Sequence, residues 1–256
     1  MILRRLVEPL YERHLARQCR HIPQHIAIIQ DGNRRYARMQ GRRTEDGHRA
    51  GAERTEELLE WARNLGIRHI TLYSFSTENF ARSPGEVEAL FTLFKDRFSR
   101  VPTDERVHRN RMRVQMVGDR SLLPPDLLSV VERAEESTKD YDGFFLNVAL
   151  AYGGRNEIVR TARSILEAVR EGDVKPGAID SAIFERHLNG GKQLPPVDLI
   201  IRTGNEFRTS NFLPWLANGH ECAVYFCAPY WPLFRKIDFY RAIRVYSQRA
   251  EAMDGR

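Results

Sequence analysis

Six short apolar runs, each set off from the next by a segment long enough for a helix, constrain this chain more than any other feature. The runs are Ile26–Ile29, Ile67–Phe75, Met112–Val117, Phe144–Leu150, Val197–Ile201 and Ala223–Phe226. Each has the length of a strand, and Ile26–Ile29 and Phe144–Leu150 are nearly continuous in apolar residues, which is how a strand buried on both faces reads. Between and after them lie the helical candidates: Arg34–Met39, Gly47–Leu65, a segment carrying Val87, Leu90, Phe91, Phe94 and Phe98, Pro124–Lys139, Glu157–Arg170 and Ile237–Arg249. This alternation predicts an α/β fold, a single domain over 1–256 with a mostly parallel six-stranded sheet flanked by helices. No internal repeat, low-complexity tract or linker divides it.

Local punctuation supports the pattern. Gly66 closes the second helix, and Ser83-Pro84-Gly85-Glu86 has the form of a capping box with proline at the first helical position. The N-terminal segment 1–21 is expected to be an amphipathic helix over residues 2–19, with Leu3, Leu6, Val7, Leu10 and Leu15 at helical spacing among Arg4, Arg5, Arg13 and Arg17. Two fates are open to it: packing on the domain, or lying on a membrane surface as a peripheral contact. Pro23 ends it. The stripe of phenylalanines at 91, 94 and 98 suits either core or the wall of a tunnel for a long apolar ligand.

A hydrophobic content of 42% supplies a core, and the formal charge of +6 points to anionic partners: nucleic acid, an anionic membrane face or phosphorylated substrates. Cys19, Cys222 and Cys227 make no disulfide framework, and Cys222-x4-Cys227 lacks a second pair of zinc ligands. With no apolar run of membrane-span length and no signal-peptide pattern, a cytoplasmic location is expected. The glycine-rich nucleotide motifs and the G-x-S-x-G nucleophile elbow are absent. Nucleic-acid binding through Arg34–Arg43 lacks a groove-reading element or stacking aromatics, so no nucleic-acid partner is expected.

In an open parallel sheet, ligands gather beyond the carboxyl ends of the strands. The polar turns of this chain fall there: Asp31–Arg35, Ser76–Arg82, Tyr152–Arg155 and Arg202–Ser210. In the first, a carboxylate, a glycine and free backbone N–H groups at a strand-to-helix turn form an anion and metal site, ringed by Arg34, Arg35 and Arg38. One carboxylate among phosphate-binding groups suggests Mg²⁺ shared with a diphosphate, because this ion commonly takes one or two carboxylates plus phosphate oxygens. In the last, Arg202, Arg208 and Ser210 offer two guanidiniums and a hydroxyl for phosphate recognition.

Four blocks in this order, HIAIIQDGNRRYARMQG with Gly47-His48 beyond it, TLYSFSTENFARS, LNVALAYGGR and DLIIRTGNEFRTSNFLPW, with YWPLF near the end, resemble the cis-prenyltransferases, the family that includes undecaprenyl diphosphate synthase. The resemblance covers about Ile22 to Tyr246. It implies an α/β domain with an apolar tunnel, a homodimer or heterodimer, Mg²⁺ dependence, and condensation of an allylic prenyl diphosphate with isopentenyl diphosphate to give Z double bonds. It also implies site residues. Asp31 is the essential aspartate that holds Mg²⁺ on the diphosphate. Gly32, Asn33, Arg34 and Arg35 form the loop binding the allylic diphosphate, with Tyr36 and His48 beside it. Ser76, Thr77, Glu78, Asn79, Phe80 and Arg82 are the second block, in which the asparagine assists proton removal. Arg202, Arg208 and Ser210 grip the diphosphate of the acceptor.

The departures fall mainly in the acceptor half. Thr44 stands where the family often has arginine, with Arg42 and Arg43 close by. The usual small-Gly-Glu-Gln/His-Arg pattern becomes Gly204-Asn205-Glu206-Phe207-Arg208. The glutamate expected to help bind metal near the acceptor aligns with Ala223, and Glu221 is a nearby substitute. These changes leave a second reading beside chain elongation: the same donor chemistry with transfer to another acceptor, such as a lipid hydroxyl. A third reading is a non-catalytic partner subunit. Such subunits typically lack the aspartate that this chain keeps.

Overall fold

The computed structural model describes residues 2–217 and 222–254, and side chains over 8–217 and 222–253. The strands are β1 (His25–Ile29), β2 (His69–Tyr73), β3 (Met112–Val117), β4 (Phe144–Ala149), β5 (Leu199–Arg202) and β6 (Ala223–Phe226). They form one sheet in the order β3-β4-β2-β1-β5-β6 with every neighbouring pair parallel. The main helices are α1 (Ile2–Gln18), α2 (Asn33–Met39), α3 (Thr44–Asn64), α4 (Pro84–Arg100), α5 (Glu105–Arg109), α6 (Pro125–Thr138), α7 (Gly154–Glu171), α8 (Ser181–His187) and α9 (Lys236–Asp254). The α/β architecture is as expected, and the corrections are local. The second strand is shorter than Ile67–Phe75. The fifth ends at Arg202, which makes that arginine part of the sheet rather than of the turn beyond it. Helices α5 and α8 are too short to show a period in sequence.

The capping box expected at Ser83 does not form. Ser83 is the N-cap and Pro84 opens α4, but the Ser83 side chain makes no cap hydrogen bond, and Glu86 turns instead to Arg82. The carboxylate prefers a guanidinium to a neutral backbone N–H. Helix α1 lies against α9, with Leu15 fully buried and Leu10 exposed. The Ser247 Oγ accepts from the N–H groups of Arg20 and His21, which fixes the exit of α1. The expected apolar positions Leu3, Leu6 and Val7 lie outside the described side chains. Among the described residues no helix is long and apolar enough to cross a membrane.

The edge strand β3 is covered along its open side. Glu135 accepts from the Met116 N–H at 2.8 Å, Lys192 donates to the Met116 carbonyl at 2.8 Å, and Thr138 Oγ1 accepts from the Val114 N–H at 3.1 Å. Side chains of α6 and of the 188–192 turn thus do what a neighbouring strand would do.

A buried polar ladder crosses four strands on one face of the sheet. Gln115 donates to Asn147 (2.6 Å), Asn147 to Thr71 (3.1 Å), Thr71 to His25 Nε2 (2.7 Å), and His25 Nδ1 to the Pro195 carbonyl (2.8 Å). This chain of donors requires a neutral imidazole, and burial pushes His25 down to about 4. His69, beside it, is also held near 4, chiefly by burial and then by His25. Folded-state values below the unfolded 6.5 confer stability that is complete above pH 6.5 and lost as pH falls through about 4. We expect His25 to remove on the order of 2–3 kcal/mol by pH 4. Urea midpoints measured from pH 7 to 4 check this, and His25→Gln should flatten the fall.

Candidate active site

Strand β1 ends at Ile29, level with Tyr73 of β2 on one side and Arg202 of β5 on the other. From β1 the chain leaves toward β2, and from β5 it leaves toward β6 on the opposite side. The crevice of an open α/β sheet forms where connections diverge in this way. Asp31 stands in it, two residues beyond β1. Its Oδ1 accepts from Arg35 Nη2 at 2.9 Å and its Oδ2 from Arg202 Nη2 at 2.8 Å. Arg35 reaches back by its i,i+4 spacing. The Arg202 side chain is 4% exposed, and its Nη1 donates to the Arg208 carbonyl (2.6 Å) and to Ser210 Oγ (2.5 Å). Thr203 Oγ1 and the Trp231 N–H both donate to the Asp31 carbonyl, at 2.7 and 3.0 Å. The YWPLF block therefore serves the aspartate turn from beneath.

Gly204 has φ +86°, and a Cβ there would stand 2.7 Å from Arg35 Nη2 and 3.1 Å from the Asp31 carbonyl oxygen. Gly204→Ala is expected to cost about 1–3 kcal/mol of stability from the backbone alone. By displacing the Arg35 guanidinium it should also lower kcat/KM roughly tenfold. Thermal melts and steady-state kinetics measure the two effects separately. Beyond Gly204 the loop holds Asn205, Ser210, Asn211 and Leu213 at positive φ. It is tied down by Tyr73 Oη to the Ser210 carbonyl (3.2 Å) and by the Gly154 and Arg155 N–H groups to the Asn211 carbonyl and Oδ1 (both 2.9 Å).

A second cluster faces the first. Glu86 Oε1 meets Arg82 at 2.8 Å, His48 Nε2 at 3.4 Å and Arg34 at 3.6 Å. Burial, helped by the Arg82 charge, pushes the His48 imidazole below its usual value, and the contact with Glu86 opposes this. Asn79 Oδ1 accepts from the Ser76 N–H at 3.0 Å, which closes the turn after β2.

The sequence candidates line one polar cavity of about 470 Å³, except Tyr36, Thr77, Glu78 and Phe80. Thr77 Oγ1 bonds its neighbour Glu78 at 3.4 Å, and Phe80 packs edge-on against Phe75 with ring centres 4.9 Å apart. Sequence reasoning missed Glu86, Glu206, Thr203 and Tyr230. Glu206 meets Arg35 at 3.5 Å and also pairs with Arg208, so it adds a carboxylate to the acceptor side. Tyr230 carries the Arg35 guanidinium over its ring, 5.3 Å from the centre. Glu86 had a readable signal in its i,i+4 spacing from Arg82, and Glu206 in the Gly204–Arg208 motif.

A second cavity, of about 620 Å³, shares six lining residues with the polar one: Gln30, Asn33, His48, Tyr73, Ser74 and Leu90. The second is walled by apolar side chains of α3, α4 and the sheet, including Leu59, Leu72, Phe94, Phe98, Leu146 and Val148. From the row of Tyr73 to that of Met112 it runs five residues down the strands, about 17 Å at strand spacing. Phe94 and Phe98 line this cavity. Phe91 does not, and packs on Phe75 with centres 5.2 Å apart.

Among the described residues no three His, Cys, Asp or Glu side chains are placed to hold a metal together. The donors at hand fit Mg²⁺ of the phosphate-sharing kind. Asp31 is 29% exposed to the cavity, and the nearby Asn33 Oδ1 is buried without a partner. Ala223 opens β6, buried and level with Leu199. The expected substitute, Glu221, lies outside the described residues. Phe207 is 73% exposed and leans on Phe226 with ring centres 5.6 Å apart.

Residues 29–254 match the family model described as "Putative undecaprenyl diphosphate synthase". The chain belongs to this family. It is 50% identical over 241 residues to a tritrans,polycis-undecaprenyl-diphosphate synthase (geranylgeranyl-diphosphate specific) of Halobacterium salinarum, covering 94% of this chain and 80% of the relative. An enzyme of the same description from Archaeoglobus fulgidus is 49% identical over 94% of this chain and 96% of its own length. Among solved structures, lavandulyl diphosphate synthase from Lavandula x intermedia, in complex with dimethylallyl diphosphate, superposes with a TM-score of 0.81 at 34% identity, covering 88% of this chain and 95% of that one. The chain is accordingly a prenyl-transferring enzyme of the cis type.

Proposed function

We propose that this family member extends an allylic prenyl diphosphate with isopentenyl diphosphate, adding Z-configured units to give a polyprenyl diphosphate. One observation carries the reading: Asp31, clasped by Arg35 and Arg202, stands in a polar cavity that shares a wall with an apolar one. The donor's diphosphate rests among Arg34, Arg35 and Arg82, and its hydrocarbon tail lies along Leu72, Phe94 and Leu146. The allylic C–O bond breaks with its electron pair leaving on the diphosphate. The freed carbon bonds to the terminal alkene carbon of the acceptor, and a proton is lost to restore the double bond. Fixed guanidiniums stabilise the negative charge that grows on the departing group. Mg²⁺ held at Asp31 would add charge neutralisation there. The apolar walls keep water from the allylic cation. Arg208 and Ser210, steadied by Arg202, are assigned to the acceptor's diphosphate. Asn79 and Ser76 are assigned to the side on which the proton leaves.

The curated relatives are described as geranylgeranyl-diphosphate specific, so that donor is the first to test. Purified protein with geranylgeranyl diphosphate, labelled isopentenyl diphosphate and Mg²⁺ should yield long polyprenyl diphosphates by mass spectrometry. Chelation should abolish them and added Mg²⁺ restore them. Absence of isopentenyl incorporation, with transfer to a lipid alcohol in its place, would overturn the reading.

A further inference from the structure

An aromatic ring lies against the aspartate turn. Tyr230 precedes the short turn Trp231–Leu233, whose tryptophan is fully buried and donates from Nε1 to the Gly51 carbonyl at 2.7 Å. The residues flanking Tyr230 bind the backbone of the site: the Pro229 carbonyl accepts from the Gly204 N–H at 2.8 Å, and the Trp231 N–H donates to the Asp31 carbonyl at 3.0 Å. The backbone of Tyr230 is thus pinned on both sides. Gly32 lies directly on it, so closely that a Cβ there would stand 2.8 Å from Tyr230 Cα, Cβ and Cδ1. The Arg35 guanidinium lies over the same ring, 5.3 Å from its centre, and meets Asp31 at 2.9 Å and Glu206 at 3.5 Å. Tyr230 itself is not among the residues that line the polar cavity.

We propose that Tyr230 is a positioning residue for the diphosphate of the allylic donor, acting through Arg35, which its ring holds in place with charge and N–H donors still available. The inference rests on the assignment of Arg35 to the donor and adds the group that sets that arginine. A long side chain gives up rotamer freedom when it grips a ligand, and one already held gives up less. Two carboxylates could hold Arg35 unaided, but each also offsets its charge. A ring face attracts a cation through its quadrupole and takes no N–H donor. The donors not bound to Asp31 and Glu206 stay available to phosphate oxygens. A guanidinium that need not rearrange then meets the charge growing on the departing diphosphate.

The test is calorimetric titration with geranylgeranyl thiolodiphosphate, a non-reactive donor analogue, in the presence of Mg²⁺. Tyr230→Leu removes the ring face and should weaken binding about fivefold. Tyr230→Phe keeps the face and should recover to within about twofold of the parent. In an Arg35→Ala background Tyr230→Leu should add no further loss, because the ring then has no cation to hold. Phenylalanines bearing successive ring fluorines, installed at 230, keep the shape while draining the face of electron density, so binding should weaken stepwise along the series. That series also serves if Tyr230→Leu fails to fold. In steady-state assays of Tyr230→Leu the loss should fall on kcat/KM for the donor and leave the KM for isopentenyl diphosphate in place. Equal binding across the fluorinated series, a phenylalanine variant no better than leucine, or the same loss without Arg35 overturns the assignment. A parent that binds the analogue with this dependence on the ring but incorporates no isopentenyl diphosphate upholds the role of Tyr230 and brings down the elongation reading alone.

Discussion

Asp31→Asn should lower kcat by about a thousandfold or more, some 4 kcal/mol of transition-state stabilisation, with the fold intact. The substitution keeps the shape of the side chain and removes its charge. Arg202 retains the Arg208 carbonyl and Ser210 Oγ, so its buried guanidinium is not left without acceptors. The loss therefore falls on the chemistry: the carboxylate orients two guanidiniums, and under the proposed mechanism it would also be the acidic donor for Mg²⁺ beside a diphosphate. Steady-state kinetics should show the fall in kcat, and direct titration with a non-reactive diphosphate analogue should show Mg²⁺-dependent binding weakened. A variant that turns over within tenfold of the parent would remove Asp31 from the mechanism.

Leu146→Trp should truncate the product. Leu146 lies level with Ile70 and Val114, three rows below Tyr73, or about 10 Å from the mouth of the cavity at strand spacing. An indole at that depth occupies the path a tail must take once it outgrows the first stretch. Early condensations should continue while the mass distribution shifts down by several isoprene units. Overpacking costs about 1–3 kcal/mol, a few degrees of melting temperature in a domain of this size, so a melt separates blockage from unfolding. Unchanged product lengths would place the growing tail elsewhere.

The sheet was legible because its strands are short apolar runs at helix-length intervals, and buried parallel strands have no other way to appear. Asp31, Arg35, Arg202 and Ser210 were legible through their motifs, although Asp31 and Arg202 meet 171 positions apart. Glu86 was read as a helix cap because its spacing from Ser83 fits one, and nothing local reveals that Arg34, Arg82 and His48 converge on it. Tyr36, Thr77, Glu78 and Phe80 share their motifs with residues that do line the cavity. In the fold, neighbours along a helix or turn point different ways, and these four are not among the residues that line the cavity. The pairing of Glu56 with Arg97 and Arg106 has no sequence signal, since these partners lie 41 and 50 positions away.

The dressing of β3 by Glu135, Thr138 and Lys192 bears on how such a chain survives its own cargo. An uncovered strand edge is a template on which other chains can pair. A bare rim would invite them to zip on, strand by strand, toward fibre. Here that rim is already spoken for by a paired anion and cation, so the molecule offers passers-by no template on that side.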